Sequence, residues 1–213
     1  MEIKAVYDML LQHYGRQEWW PVKGKFEPRE FEVCVGAILT QNTNWNNVEK
    51  ALRLLEKNNF VSPEKISSAD TNELEAAIKP SGFYRQKAER LKAFSGFIVE
   101  SGGFKKFSEK ITREQLLSMK GIGPETADSI LLYALGRTYF VIDAYTKRIF
   151  SRFGIKPKKD YEEWREFFEK NIEKDAEKYR EFHALIVEHA KAFCKTKPLC
   201  SDCPLNKICK KLL

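Results

Sequence analysis

The sequence has no long apolar segment, no low-complexity segment and no internal repeat. Its longest fully apolar stretches, such as VCVGAIL at residues 33–39, are far shorter than a membrane span, which argues against an integral membrane protein. The opening residues, MEIKAVYDML, lack the basic-then-apolar layout of a secretory signal. We therefore expect a cytoplasmic protein with no membrane partner.

The chain carries an excess of positive charge. Its 37 lysines and arginines against 30 acidic residues give a net charge of +7 and a pI of about 9.0. This balance favours a polyanionic partner, with nucleic acid ahead of an anionic membrane surface. At 213 residues, the chain is long enough for one large domain or two small lobes with a buried core.

Helical periodicity extends through nearly the whole sequence, and no stretch alternates over a useful strand length. An all-α fold is therefore predicted. Thr112 and Gln115 have the spacing of a capping box, and Pro124 suits the first turn of the next helix. The main predicted helices span residues 31–40, 47–57, 85–100, 112–120, 125–135, 144–153, 160–171 and 175–193.

Between two of these helices lies the segment KGIGPETAD. Its glycines, Gly121 and Gly123, permit positive φ and close approach of the backbone, and Ile122 can anchor the turn in the core. On the Gly-Ile-Gly segment alone, a simple turn between two helices is equally compatible. Farther along, Asp143 is the lone acid in the otherwise apolar run at residues 139–144, and its presence there needs an explanation.

The segment LLSMKGIGPETADSILLYALG, followed by VIDAYTKRI, resembles the helix-hairpin-helix DNA glycosylases of the endonuclease III superfamily. The resemblance implies a two-lobed fold in which a hairpin grips the DNA backbone, here through Gly121, Gly123 and Thr126. It also implies that Asp143 is the catalytic residue, at the mouth of a cleft. The alternative is that Asp143 caps the helix at 144–153, since Asp is a preferred N-cap residue, and the two roles are compatible.

Five cysteines are present, and four of them lie near the C-terminal end of the chain. Those four are separated by five, two and five residues, which suits a [4Fe–4S] cluster; zinc is the alternative, although zinc ribbons usually have two Cys-x2-Cys pairs. The resemblance implies a structural cluster loop, at residues 194–209, whose first gap is one residue longer in relatives. Cys34 is expected in the core. The predicted ligands are Cys194, Cys200, Cys203 and Cys209.

Glu125 occupies the position at which bifunctional members of the superfamily carry a lysine, two residues after the second glycine of the hairpin. That lysine attacks the sugar and forms a Schiff base, which permits strand cleavage. A carboxylate cannot form this imine. The resemblance therefore implies a monofunctional glycosylase that leaves an abasic site, with Glu125 among its substrate-binding residues.

Further blocks of sequence resemble the bacterial 3-methyladenine DNA glycosylases of this superfamily. The blocks are WWP at 19–21, AILTQNTNW at 37–45, KPSGFYRQKAERL at 79–91 and EFHALIVE at 181–188. The resemblance implies that an extruded, positively charged base stacks on indole rings, which attract cations. The predicted box is formed by Trp19, Trp20 and Trp45, with Pro21 at its edge. Ordinary packing is the alternative for each tryptophan.

Two further residues are implied to open the duplex. Gln41 matches a glutamine that fills the gap left by the extruded base, and Phe83 matches an apolar wedge on the opposite strand. The alternative for Phe83 is a core contact beside a helix start.

The complete prediction is a monomeric, all-α DNA N-glycosylase that acts on damaged bases in double-stranded DNA at the nucleoid. A six-helix lobe is expected at residues 22–135, with the hairpin at about 112–135. A second lobe, formed by 1–21 plus 136–213, is expected to carry the [4Fe–4S] loop, with DNA crossing the cleft between the lobes. The alternatives are a bifunctional endonuclease III-like enzyme for oxidised pyrimidines, a non-catalytic DNA-binding module and an electron carrier.

Overall fold

The structure is a computed structural model that describes residues 3–19, 24–155 and 160–212. Within these ranges the chain forms helices and no β-strand, so the all-α prediction is confirmed. No helix in the same ranges is both long enough and apolar enough to cross a membrane.

The α-helices of the described residues are, in chain order, α1 (Ile3–Tyr14), α2 (Arg29–Leu39), α3 (Trp45–Lys57), α4 (Pro63–Ser68), α5 (Thr71–Ile78), α6 (Tyr84–Glu100), α7 (Phe104–Lys110), α8 (Arg113–Ser118), α9 (Pro124–Ser129), α10 (Ala144–Arg152), α11 (Tyr161–Asn171) and α12 (Ala176–Ala192). A 3₁₀ turn at Lys79–Ser81 precedes α6, and a π-helical turn at Ile130–Ala134 follows α9.

Local signals for helix starts are confirmed. The side chain of Thr112 accepts from the Gln115 N–H while Gln115 reaches back to the Thr112 N–H, so α8 begins with the predicted capping box. Pro124 is the first residue of α9, where its missing N–H costs no hydrogen bond. Two helix predictions need correction: α8 ends at Ser118 rather than near Lys120, and the predicted helix at 125–135 changes to a π-helical turn after Ser129.

The short helix α7 was not predicted. Its seven residues contain a single buried side chain, Phe107, which is too little for an apolar period to be recognised. Phe107 nevertheless packs edge-on against Phe94 of α6, with ring centroids 5.5 Å apart. Tertiary packing, rather than local pattern, therefore holds this helix in place.

The chain divides into two compact units, one formed by Met1–Trp19 with Gly136–Leu213 and the other by Trp20–Leu135. In the first unit, α12 packs against α1 and α10. Aromatic rings fill its core: Phe140 stacks on Phe168 at 4.6 Å, and Phe150 meets Phe168 edge-on at 4.7 Å. Large aromatic side chains supply much of the apolar area that a small core buries.

In the second unit, α6 packs against α4 and α5, and α2 packs against the π-helical turn at Ile130–Ala134. Every residue of α2 from Phe31 to Leu39 is buried, which confirms the predicted buried helix, and Cys34 is one of them. From Phe31 to Leu39 the only charged side chain is Glu32, which accepts from the Gly24 N–H, and the rest is apolar on all sides, so this part of the helix lies inside its unit. The helix α2 also packs against α9, the second helix of the hairpin.

Candidate functional site

Asp143 is the residue that begins α10. Its Oδ1 accepts a hydrogen bond from the Thr146 N–H at 2.7 Å, so the capping alternative is confirmed. The side chain is buried, with 9% of the residue exposed. Because the cap uses one carboxylate oxygen, the other oxygen, Oδ2, is left for a second interaction.

His183 supplies that interaction, and it is a residue to which no role was assigned from the sequence. It lies on α12 with its Nε2 atom 3.5 Å from Oδ2 of Asp143, and both side chains are buried. The ring of Trp19 lies beside the imidazole, with centroids 5.8 Å apart. The available signal was a histidine within an otherwise apolar stretch of a helix, in the block EFHALIVE. The structure thus brings Asp143, His183 and Trp19 into one chain of contacts.

The carboxylate of Asp143 is ionised in spite of its burial. Burial by itself raises the pKa, but the neighbouring imidazole of His183, together with the hydrogen bond from the Thr146 N–H, outweighs it. The pKa of Asp143 consequently lies below its ordinary value of 3.8. A buried anion of this kind can stabilise positive charge that develops beside it, because a water-poor surrounding strengthens the interaction.

Two arginines of α10 donate hydrogen bonds to the first residues of the segment that carries the four C-terminal cysteines (the cysteine segment, residues 194–209). Arg148 Nε donates to the main-chain oxygen of Cys194 at 2.7 Å, and Arg152 donates to the Sγ atom of Cys194 at 3.1 Å. Arg152 also donates to the oxygens of Lys195 and Thr196. The helix that Asp143 caps therefore carries, farther along, the groups that fix the cysteine segment.

The four C-terminal cysteines line one cavity, together with His189 of α12. His189 Nε2 lies 3.6 Å from the Sγ atom of Cys203, while the hydroxyl of Tyr14 lies 3.1 Å from Nδ1. Burial raises the pKa of the Cys203 and Cys209 thiols. Among the residues that the structure describes, no group of three or more His, Cys, Asp or Glu side chains is arranged to hold a metal ion. The predicted cluster loop is therefore not shown.

The hairpin between α8 and α9 uses its two glycines differently. Gly121 has a φ of +85°, and a Cβ atom there would collide with the side chain of Arg90. Ile122 is buried, as predicted. Gly123 does not use the positive φ that glycine permits: its φ is −87°, and an added Cβ would meet no atom within 4 Å. An added side chain would therefore meet open space at Gly123 and the Arg90 side chain at Gly121.

Gln41 is bound to the hairpin. Its Nε2 donates to the Gly121 oxygen at 2.9 Å and to Thr126 Oγ1 at 3.0 Å, and its Oε1 accepts from Arg90. Three of the predicted DNA-binding residues, Gln41, Gly121 and Thr126, are therefore brought together by direct hydrogen bonds. Arg90 is a further member of this group that the sequence did not single out.

The side chain of Phe83 is exposed to solvent. Its side chain is 63% exposed, so the alternative of a core contact is wrong. Its backbone has a left-handed conformation, with φ of +47°, at the start of α6. An exposed aromatic side chain on a left-handed backbone is unfavourable in the isolated protein, and such positions are concentrated at functional sites.

Trp45 begins α3, and its Nε1 donates to Glu49 at 3.1 Å. It lines a cavity of about 250 Å³ together with Gly24, Glu32, Glu49, Leu52, Arg53 and Glu56. Glu125 is exposed in the first turn of α9. Trp20 and Pro21 lie outside the described residues. The aromatic box of Trp19, Trp20 and Trp45 consequently stays a prediction.

The chain is similar to known proteins along most of its length. It is 50% identical to a protein of Methanocaldococcus jannaschii named as a DNA repair glycosylase, with 97% of this chain and 95% of that protein covered. A Helicobacter pylori 3-methyladenine DNA glycosylase, solved with bound 1,N6-ethenoadenine, is 36% identical with a TM-score of 0.76, covering 88% of this chain and 94% of that one. Endonuclease III in a non-covalent complex with DNA shares the fold, with a TM-score of 0.81 at 22% identity and coverage of 98% and 94%.

A family match adds to these similarities. Residues 35–174 match the HhH-GPD superfamily of base excision DNA repair proteins. This span contains Gln41, Phe83, the hairpin and Asp143, and it exceeds half of the 213-residue chain. The chain therefore belongs to the HhH-GPD superfamily of base excision DNA repair proteins.

Proposed function

We propose that this base excision repair DNA glycosylase is monofunctional and hydrolyses the N-glycosidic bond of alkylated purines such as 3-methyladenine. The observation that carries the proposal is the carboxylate of Asp143, which is buried, ionised and bound by the helix cap through only one of its oxygens. In glycoside hydrolysis such a carboxylate stabilises an oxocarbenium-like sugar or activates a water molecule.

The substrate class follows from the chemistry of the leaving group. An alkylated purine carries delocalised positive charge and departs readily once the base has been extruded, so no strong general acid is required. The enzyme must hold the base and stabilise the sugar cation. The 36% identity to the Helicobacter pylori 3-methyladenine DNA glycosylase, over 88% of this chain, supports this class.

Trp45 is proposed to contact the base. Its cavity is lined by three residues that carry carboxylates, Glu32, Glu49 and Glu56, and by one residue of opposite charge, Arg53. An indole face attracts a cationic ring by about 0.5–2 kcal/mol, and neighbouring carboxylates favour a positively charged base over a neutral one. Trp19, beside His183, is proposed as a second aromatic contact, and Trp20 and Pro21 are carried over from the resemblance alone.

Glu125 supports the monofunctional assignment. A Schiff base requires an amine, and the side chain at this hairpin position is a carboxylate. Base release is therefore proposed to proceed by hydrolysis and to leave an intact strand with an abasic site. Glu125 is proposed to lie near the bound nucleotide, because it occupies the first turn after the hairpin.

The second unit is proposed to bind and open double-stranded DNA. Gly121, Gly123 and Thr126 belong to the hairpin that meets the phosphate backbone, and the open space in front of Gly123 supports close approach by DNA. Phe83 is proposed as the wedge, because an exposed apolar side chain can enter between base steps. Gln41 is proposed to fill the vacated position, which requires it to exchange its hairpin hydrogen bonds for contacts with DNA.

We further propose that Cys194, Cys200, Cys203 and Cys209 hold a structural [4Fe–4S] cluster. Their spacing and their common cavity support this assignment, and Arg152 donates to the Sγ atom of Cys194 at the start of the segment. When bound, the cluster fixes the loop and does not take part in base hydrolysis. Analysis of iron, acid-labile sulfide and zinc in the purified protein tests this: zinc without iron would refute it.

The experiment that tests the activity uses duplex DNA treated with a methylating agent. The protein is incubated with this DNA, and released bases are identified by mass. We expect 3-methyladenine from the parent protein and no release from Asp143→Asn, which keeps the shape and capping ability of the side chain. Asp160→Asn is the matched control, because Asp160 caps α11 in the same way at an exposed position. Release by Asp143→Asn at the parent rate would refute the catalytic assignment.

A strand-cleavage assay separates the main alternative. A bifunctional endonuclease III-like enzyme would nick a duplex that contains thymine glycol and would be trapped on DNA by borohydride. We expect neither result from this protein. Salt-sensitive DNA binding without base release across a panel of lesions would instead favour a non-catalytic module.

A further inference from the structure

Asp143 caps α10 in the same way as two other aspartates of its unit cap their helices. Asp160 accepts from the Glu163 N–H and Asp175 from the Lys178 N–H, and both caps are exposed. Capping therefore needs neither burial nor a neighbouring imidazole. The contact between Asp143 and His183 must have another explanation.

His183 is held firmly where it meets Asp143. Its neighbours along α12 from Phe182 to Val187 are all buried, and α12 packs against both α1 and α10. The ring of Trp19 lies 5.8 Å from the imidazole, tilted by 47°. A polar ring in such surroundings costs about 1–3 kcal/mol unless it has a polar partner. The carboxylate of Asp143 is the polar group that faces it: Oδ2 lies 3.5 Å from Nε2, an ion-pair contact rather than a hydrogen bond.

The two carboxylate oxygens of Asp143 thus have separate partners from separate helices. Oδ1 belongs to the cap of α10 through Thr146, and Oδ2 faces His183 of α12. A carboxylate with one partner on each oxygen is restrained in its rotation, and a displacement of about 1 Å from the position in which it acts can cost on the order of 100-fold in rate.

We propose that His183 is a positioning residue for Asp143, and that its imidazole fixes the carboxylate oxygen that stabilises the sugar cation or receives the proton of the attacking water. This inference rests on the proposed catalytic role of Asp143. Within the described residues, the groups that set the pKa of Asp143 are His183 on α12 and Thr146 on α10. The neutral Trp19 ring packs against the imidazole and keeps it in place.

The test compares single-turnover base release by His183→Ala, His183→Gln and the parent over a range of pH. We expect His183→Ala to lower the rate constant by about 10- to 100-fold, with an unchanged Kd for duplex DNA that contains an abasic site. His183 lowers the pKa of Asp143, so its removal raises that pKa. The rate should therefore begin to fall at a higher pH than in the parent as the solution is acidified.

His183→Gln, whose amide can donate a hydrogen bond, should recover part of the rate but not the parent pH profile, because it lacks the charge. Tyr179→Phe is the matched control, since Tyr179 is buried on the same helix. This variant should keep the parent rate and profile.

If His183→Ala keeps the parent rate constant, and its rate falls on acidification at the same pH as in the parent, the inference is overturned. If His183→Ala does not fold, as judged by circular dichroism, the same result in His183→Gln overturns it. These outcomes differ from failure of the proposed function, in which Asp143→Asn itself would release base at the parent rate.

Discussion

Arg113 and Asp128 form a bidentate ion pair that joins the two helices of the hairpin. Arg113 Nε donates to Asp128 Oδ1 at 2.6 Å, and a terminal nitrogen donates to Oδ2 at 3.2 Å. Both side chains are buried, with exposures of 9% and 0%. Because Arg113 begins α8 and Asp128 lies in α9, the pair fixes how these helices present the turn between them.

Asp128→Asn should destabilise the protein strongly. Removal of one member of a buried ion pair leaves the other charge uncompensated and costs about 3–5 kcal/mol. We expect a loss of about that size in the free energy of unfolding, measured with urea, and weaker DNA binding. Glu166→Gln, in the exposed pair with Lys170, is the control and should cost less than about 1 kcal/mol. Equal losses in the two variants would contradict the role assigned to the buried pair.

The two hairpin glycines should respond differently to alanine. Gly121→Ala places a side chain on a backbone with φ of +85° and against Arg90, so the fold should lose at least about 1 kcal/mol. Gly123→Ala meets no atom within 4 Å at an ordinary φ, so its stability should equal that of the parent. Its DNA affinity should nevertheless fall, because the methyl group occupies space through which a phosphate approaches.

Thermal unfolding and fluorescence anisotropy with labelled duplex DNA measure these two effects. Undiminished DNA affinity in a folded Gly123→Ala variant would show that this backbone does not approach DNA.

Features that depend on residues close together in the sequence were predicted, whereas contacts between residues far apart in the sequence were missed. Capping of α8 by Thr112 and of α10 by Asp143 depends on residues three positions apart, so local spacing was sufficient. The hydrogen bond from Gln41 to Gly121 joins residues 80 positions apart, and no local pattern encodes it. The contact of His183 with Asp143 likewise depends on how α12 packs against α10.

Phe83 shows a second reason why the sequence alone was not sufficient for prediction. Its neighbours Gly82 and Tyr84 suggested either a wedge or a core contact, and only the packed structure shows which side of the chain is covered. Exposure is a property of the folded unit rather than of the local sequence, since one apolar residue beside a helix start suits either environment. Resemblance to a family pointed toward the exposed alternative before any geometry could.

Phe83→Asn should make the protein more stable and a poorer enzyme. Asn tolerates the left-handed conformation that Phe83 adopts, so relief of strain should add up to about 1 kcal/mol to the free energy of unfolding. Loss of the wedge should lower the rate of base release from duplex DNA more than from the same lesion in a single strand. Val99→Thr, another exposed apolar position on α6, is the control and should leave both rates unchanged. Equal loss on both substrates would argue that Phe83 does not open the duplex.

Asp143 should make the stability of the protein depend on pH in the acid range. Its pKa is held below the ordinary value of 3.8 in the folded state, so the folded state binds fewer protons there than the unfolded chain. The resulting stabilisation is fully present above about pH 3.8 and is lost as the pH falls through the folded pKa. Asp143→Asn cannot titrate, so its deficit in unfolding free energy relative to the parent should be largest near neutral pH and should shrink on acidification. Urea unfolding of both proteins across this range measures the deficit, and a deficit that stays constant would contradict the account of a carboxylate held ionised by His183 and Thr146.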